Sequence, residues 1–76
     1  MKLKELLNVI VFDTVCLYHR EDDGEDTLFK DIYEGKKENV PEKYMEVEVK
    51  ILGAKRKNLL DIQLDEEEIY KIENSS

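Results

Sequence analysis

Met45-Glu46-Val47-Glu48-Val49-Lys50-Ile51 is the most regular stretch of this 76-residue chain. Apolar side chains take every odd position and charged ones every even position, the period of a strand with one face on a core and one in water. Leu60, Ile62 and Leu64 alternate with Asp61 and Gln63 in the same way. Gly53 and the basic run Lys55-Arg56-Lys57-Asn58 lie between the two and predict the turn that makes them neighbours. Val47, Val49, Ile51, Leu60, Ile62 and Leu64 are therefore expected to be buried together.

Moving towards the N-terminus, Pro41 stands where a single helical turn can begin, with Asn39 as its cap. Residues 27–34 read as a strand ending at Gly35, and residues 15–18 as a strand at least half buried on both faces. Between them Arg20-Glu21-Asp22-Asp23-Gly24-Glu25-Asp26 is a turn, because glycine accepts the positive φ a tight hairpin needs. Leu3, Leu6, Leu7 and Ile10 stand at i, i+3, i+4 and i+7, one face of an amphipathic helix of two to three turns. At that length it must dock on something to persist. Residues 65–73 fit either a short helix or a fifth, edge strand, and residues 74–76 a frayed tail.

The expected fold is thus a single α+β domain over residues 1–73. Its N-terminal helix packs on a four- to five-stranded antiparallel sheet, and a small SH3-like barrel is the alternative. No crossover helices connect the strands, which excludes a three-layer parallel arrangement.

Composition narrows the function classes. A chain this short buries only about 60% of the surface that it exposes when unfolded. Cys16 is the only cysteine, so no disulfide framework is available and nothing argues for an oxidising compartment. Nineteen acidic against twelve basic side chains leave a formal charge of −7, the wrong sign for binding nucleic acid or an anionic membrane directly. Lys2 and Lys4 precede an apolar run as in a secretion signal, but Glu5 and Asn8 interrupt it and no small-residue cleavage site follows. No window approaches the ~20 apolar residues of a membrane span. The expected location is the cytoplasm.

No catalytic, cofactor-binding or metal-binding residues are expected. His19 and Cys16 are three apart, which in a strand sends their side chains to opposite faces and rules out a dyad between them. Cys16 reads as a packed thiol and His19 as a polar residue near a strand end. Placing Gly24 at the sixth position of a calcium loop puts His19 at the first, where it cannot serve as an oxygen ligand. Lys55-Arg56-Lys57 lacks interleaved aromatics and reads as a soluble loop. The carboxylates remain: Glu21, Asp22, Asp23, Glu25 and Asp26 load one turn, and they are the candidate partner-binding residues. Glu46 and Glu48 line a solvent face, and residues 65–68 are a third acidic group.

The helix of residues 1–10 followed at once by Asp13-Thr14-Val15, the Val40-Pro41-Glu42 turn, the strand of residues 47–51 with Gly53-Ala54, and the closing strand of residues 60–64 resemble small uncharacterised acidic proteins of bacteriophages and prophages. The resemblance implies a mobile-element origin in a bacterial host cytoplasm and carries no catalytic residues. The expected function is a non-enzymatic, protein-binding accessory domain. The alternative is an acidic inhibitor that mimics nucleic acid and blocks a host defence nuclease or a DNA-binding protein. The partner is another protein, or a second copy in a homodimer joined along the edge strand of residues 27–33 or through exposed tyrosines.

Overall fold

The computed structural model describes residues 1–22 and 24–74. The elements are α1 (Leu3–Leu7), β1 (Thr14–Asp22), β2 (Thr27–Lys36), single 3-10 turns at Lys37–Asn39 and Glu42–Tyr44, β3 (Val49–Arg56), β4 (Leu59–Leu64) and α2 (Glu66–Glu73). They make an α+β fold on one four-stranded sheet in the order β2-β1-β4-β3. The end strands are not hydrogen-bonded to each other, so the sheet is open and the barrel alternative falls. Among the described residues no helix is long and apolar enough to cross a membrane.

Two antiparallel hairpins, β1–β2 and β3–β4, build the sheet, but they meet through β1 and β4, which run parallel from Thr14↔Leu59 to His19↔Leu64. The purely antiparallel sheet expected above is therefore corrected to a mixed one. Parallel neighbours need a long connection rather than a helix as such. Here β2, the two 3-10 turns and β3 together supply it, carrying the chain to the far edge so that β4 returns beside β1. Residues 66–73 are helical, which excludes the fifth strand. Asp65 caps that helix by accepting from the amides of Glu67 at 2.9 Å and Glu68 at 3.3 Å.

One face of the sheet carries the core. Val15 and Leu17 of β1 and Leu60, Ile62 and Leu64 of β4 pack beneath Leu3 and Leu6 of α1, Val40, Tyr44 and Val47 of the connection, and Ile69 of α2. Leu7 and Ile10 pack at the margin of this cluster, so the helix face read from the sequence is the buried one, although α1 stops at Leu7. Cys16 is buried as well but outside the cluster, at the position of β1 that pairs with Asp61.

The stretch of residues 45–51 folds differently from its reading. Val47 is buried, Val49 and Met45 pack at the core margin, and Glu46 and Glu48 face water, as the alternation requires. Yet β3 begins only at Val49. Residues 45–48 make their inward and outward steps while bound to the N-terminal segment, through Leu3 N–H to the Val47 carbonyl at 2.9 Å and Lys4 N–H to the Met45 carbonyl at 3.0 Å. Val49 pairs with Leu64 and Ile51 with Gln63, leaving Lys50 as an extra residue that shifts the register. A bulge of this kind inverts which side chains face the core. Ile51 is consequently 55% exposed, against the expectation that it joins Val47 and Val49. The chain also turns later than expected, at residues 57–58, because β3 continues through Gly53 to Arg56.

Candidate functional site

β1 outruns its parallel partner. Its pairing with β4 ends at His19, whereas its pairing with β2 continues to Asp22↔Thr27. Residues 20–22 and 27–30 are therefore a two-stranded arm, with no third strand beside it among the described residues. The chain leaves β4 at Leu64, is capped by Asp65 and enters α2, which lies against the core-facing side of β1. Between arm and helix is a cleft of about 530 Å³, lined by His19, Arg20, Glu21 and Lys30 on the strand side and by Glu66, Glu67, Tyr70, Lys71 and Glu73 on the helix side.

His19 forms part of the wall and is 9% exposed. Its Nδ1 lies 3.0 Å from the carbonyl oxygen of Arg20. A carbonyl can only accept, so in the neutral imidazole Nδ1 carries the proton and Nε2 presents a lone pair. That Nε2 is shielded from water and has no hydrogen-bond partner among the described residues. The same is true of Glu66 Oε2.

The local sequence explains the orphan. Four consecutive acids open α2, and the amides of the first turn are the donors nearest to them. Asp65 already occupies those of Glu67 and Glu68, and Glu68 reaches back to the Glu48 amide at 2.8 Å. Glu66 is left over, in the cleft wall. Tyr70 stands at the rim, 68% exposed.

The acidic turn sits at the far end of the arm. Glu21 is exposed on β1 and belongs to the cleft wall, Asp22 ends β1, and Glu25 and Asp26 are exposed at the tip, while Asp23 lies outside the described residues. Gly24 has φ +82°, the conformation for which glycine was read there. Glu21 is thus separated from Glu25 and Asp26, the first at a cleft wall and the others at the tip.

Glu46 and Glu48 are engaged by the chain itself. Glu46 accepts from Lys2 at 2.8 Å and Lys4 at 2.6 Å. The hydrogen bond from Lys2, then that from Lys4, holds its carboxyl at about 2, against an ordinary 4.5. Glu48 pairs with the Met1 amine at 2.8 Å.

The opposite face of the sheet bears an edge-to-face pair, Tyr18 and Phe29, with ring centres 5.6 Å apart. Phe29 is 59% exposed there, and Asp61 Oδ1 is shielded without a hydrogen-bond partner among the described residues. Cys16 and His19 lie on different faces, so they form no dyad. Among the described residues no group of three or more His, Cys, Asp or Glu is gathered as a metal ion would need. The sequence reading passed over His19, Glu66 and Tyr70 as a group, since only the parallel pairing of β1 with β4 places α2 beside β1. Comparison with protein-family models, curated proteins and solved structures found no match to this chain.

Proposed function

We propose that this chain is a non-enzymatic protein-binding accessory domain, of the kind that phages and prophages encode, and that the arm and α2 form its contact surface. The observation that carries this reading is the uncovered apolar surface of the arm. Leu28 and Phe29 stand exposed on the edge strand β2, one on each face of the arm. Large apolar side chains left in water beside charged ones are what protein partners bury. The test is capture from bacterial lysate by the intact chain and by Leu28→Asp and Phe29→Asp. Both variants should keep the far-ultraviolet circular dichroism of the parent and lose the captured protein. Capture that persists in both removes the arm as the contact surface.

The alternative, a nucleic-acid mimic, finds its support in Glu25 and Asp26, exposed at the tip. Glu46, Glu48 and Glu68 do not add to it, because their carboxylates are already hydrogen-bonded within the chain. Salt separates the two readings. Charge–charge contacts weaken steeply as ionic strength rises, and an apolar interface does not. The edge of β2 also suits a second copy of the chain, joined by strand addition. Sedimentation showing only a 9.0 kDa species at high concentration would exclude that homodimer.

A further inference from the structure

The geometry points to the free edge of β3, at residues 51–54, as the docking site of an acidic, extended segment of a partner protein that adds to the sheet as a further strand. This edge lies across the sheet from the arm, and the inference stands whether or not the arm binds protein. The chain itself shows how the edge is used. Residues 1–4 run antiparallel along residues 45–49, with Leu3 N–H donating to the Val47 carbonyl at 2.9 Å and Val49 N–H to the Met1 carbonyl at 2.8 Å. The Glu48 carbonyl accepts from the Asp65 amide at 3.0 Å, so the N-terminal segment lies on the side remote from β4. Its pairing ends at Val49. From Ile51↔Gln63 to Ala54↔Leu60 β3 pairs residue for residue with β4, and among the described residues no strand lies on its other side.

That stretch is built for an added strand. Ile51 and Leu52 are 55% and 47% exposed, one on each face, since they pair with Gln63 and with the core residue Ile62. A strand laid alongside covers both with its alternating side chains. Gly53 follows them, yet its φ is not positive and a Cβ there would meet nothing within 4 Å. Neither backbone nor internal packing asks for glycine, and the bare backbone leaves room for a large side chain of the incoming strand. Charge selects the partner. Between Val49 and Asn58 the sequence carries Lys50, Lys55, Arg56 and Lys57 and no acid. Lysines on an edge discourage neutral strands, but carboxylates on the added strand would meet this basic run favourably. A second copy of the chain would set the run against itself. The edge of β2 offers no such selection, because Lys30, Asp31, Glu34 and Lys36 cancel in charge.

The experiment follows the backbone amides of the intact chain by NMR during titration with acetyl-Glu-Val-Glu-Phe-Glu-Val-Glu-amide. The same peptide with lysine in place of every glutamate, and the acidic peptide N-methylated at every residue, are titrated in parallel. The acidic peptide should shift the amides of residues 50–54 saturably, with a Kd of roughly 0.1–1 mM. It should bind at least about tenfold more tightly than either control, since one lacks the charge and the other the strand hydrogen bonds. Leu52→Glu, at a half-exposed position, should abolish the shifts and keep the far-ultraviolet circular dichroism of the parent. Gly53→Val should leave urea stability undiminished, because the space beside it is open, and should weaken the peptide about tenfold. Equal binding of either control peptide, shifts confined to residues 27–36, indifference to Leu52→Glu and Gly53→Val, or no saturable shift up to about 5 mM overturns the proposal. Concentration-dependent shifts at residues 50–54 without peptide would give the edge to a second copy and overturn it equally.

Discussion

The two ends of the sheet use the same residue types in opposite ways. At the end where the N-terminal segment binds residues 45–49, acids are structural. Glu46 ties Lys2 and Lys4, Glu48 ties the Met1 amine, Glu68 holds the Glu48 amide, and Asp65 caps α2. At the arm, the side chains of Glu21, Glu25 and Asp26 have no hydrogen bond or ion pair among the described residues, and Glu66 Oε2 is shielded and unpartnered. The donors within reach account for the difference. The first end offers the amides of a helix start and two lysines that reach Glu46, whereas Glu21, Glu25 and Asp26 receive neither an amide nor a lysine among the described residues. An acidic run therefore has no meaning by composition alone; it is defined by the donors that the fold places next to it.

The strongest way to break this comparison is through stability. Ile62 lies in the central strand and is 0% exposed, so Ile62→Ala should cost about 2–5 kcal/mol. Phe29→Ala on the arm should cost less than about 1 kcal/mol, since most of that ring is already in water. Urea unfolding of both variants measures the gap. Comparable losses would mean that the arm belongs to the core unit and is not an appendage of it.

A smaller effect is expected at the end of β2 remote from the arm. A Cβ at Gly35 would stand 2.8 Å from the Tyr33 hydroxyl, which itself donates to the Lys36 carbonyl at 2.7 Å. Gly35→Ala must displace that ring and should destabilise by about 1–3 kcal/mol. In a Tyr33→Ala background the same change should cost clearly less, because the obstacle has gone. An undiminished penalty would place the strain in the backbone instead. Asp65→Ala, which removes the α2 cap, should cost about 1 kcal/mol in the same assay.

How far these features could be read in advance depended on their range. The faces of α1 and of Leu60, Ile62 and Leu64 were legible because local periodicity reports burial directly. Residues 45–49 show the limit of that signal. Their inward and outward order was legible, but the element that produces it is a run of hydrogen bonds to residues 1–4, which no local pattern reveals. The bulge at Lys50 was equally hidden, since it exists only in the pairing with Gln63 and Leu64. The cleft required the parallel pairing of β1 with β4. Nothing near His19 announces that Glu66 and Tyr70 will stand opposite it.

The smallest expected effect is the most specific to the structural end. Glu46 is exposed, so its pairs with Lys2 and Lys4 add little net stability and weaken with salt. Their mark is on its titration instead. Because the folded carboxyl sits at about 2 and the unfolded one near 4.5, the folded state binds this proton less readily than the unfolded chain does. Whatever Glu46 contributes is present above 4.5 and is lost as pH falls from there through about 2. A carboxyl-detected NMR titration should find Glu46 near 2 in the parent protein, moving up in Lys2→Ala and further in the Lys2→Ala, Lys4→Ala double variant. The order follows from the hydrogen bonds, Lys2 having the larger hold and Lys4 the next. Raising the salt concentration should move the parent in the same direction. A Glu46 that titrates at its ordinary value in the parent would show that the two lysines do not hold it in solution. The structural end would then differ from the arm only in its backbone contacts.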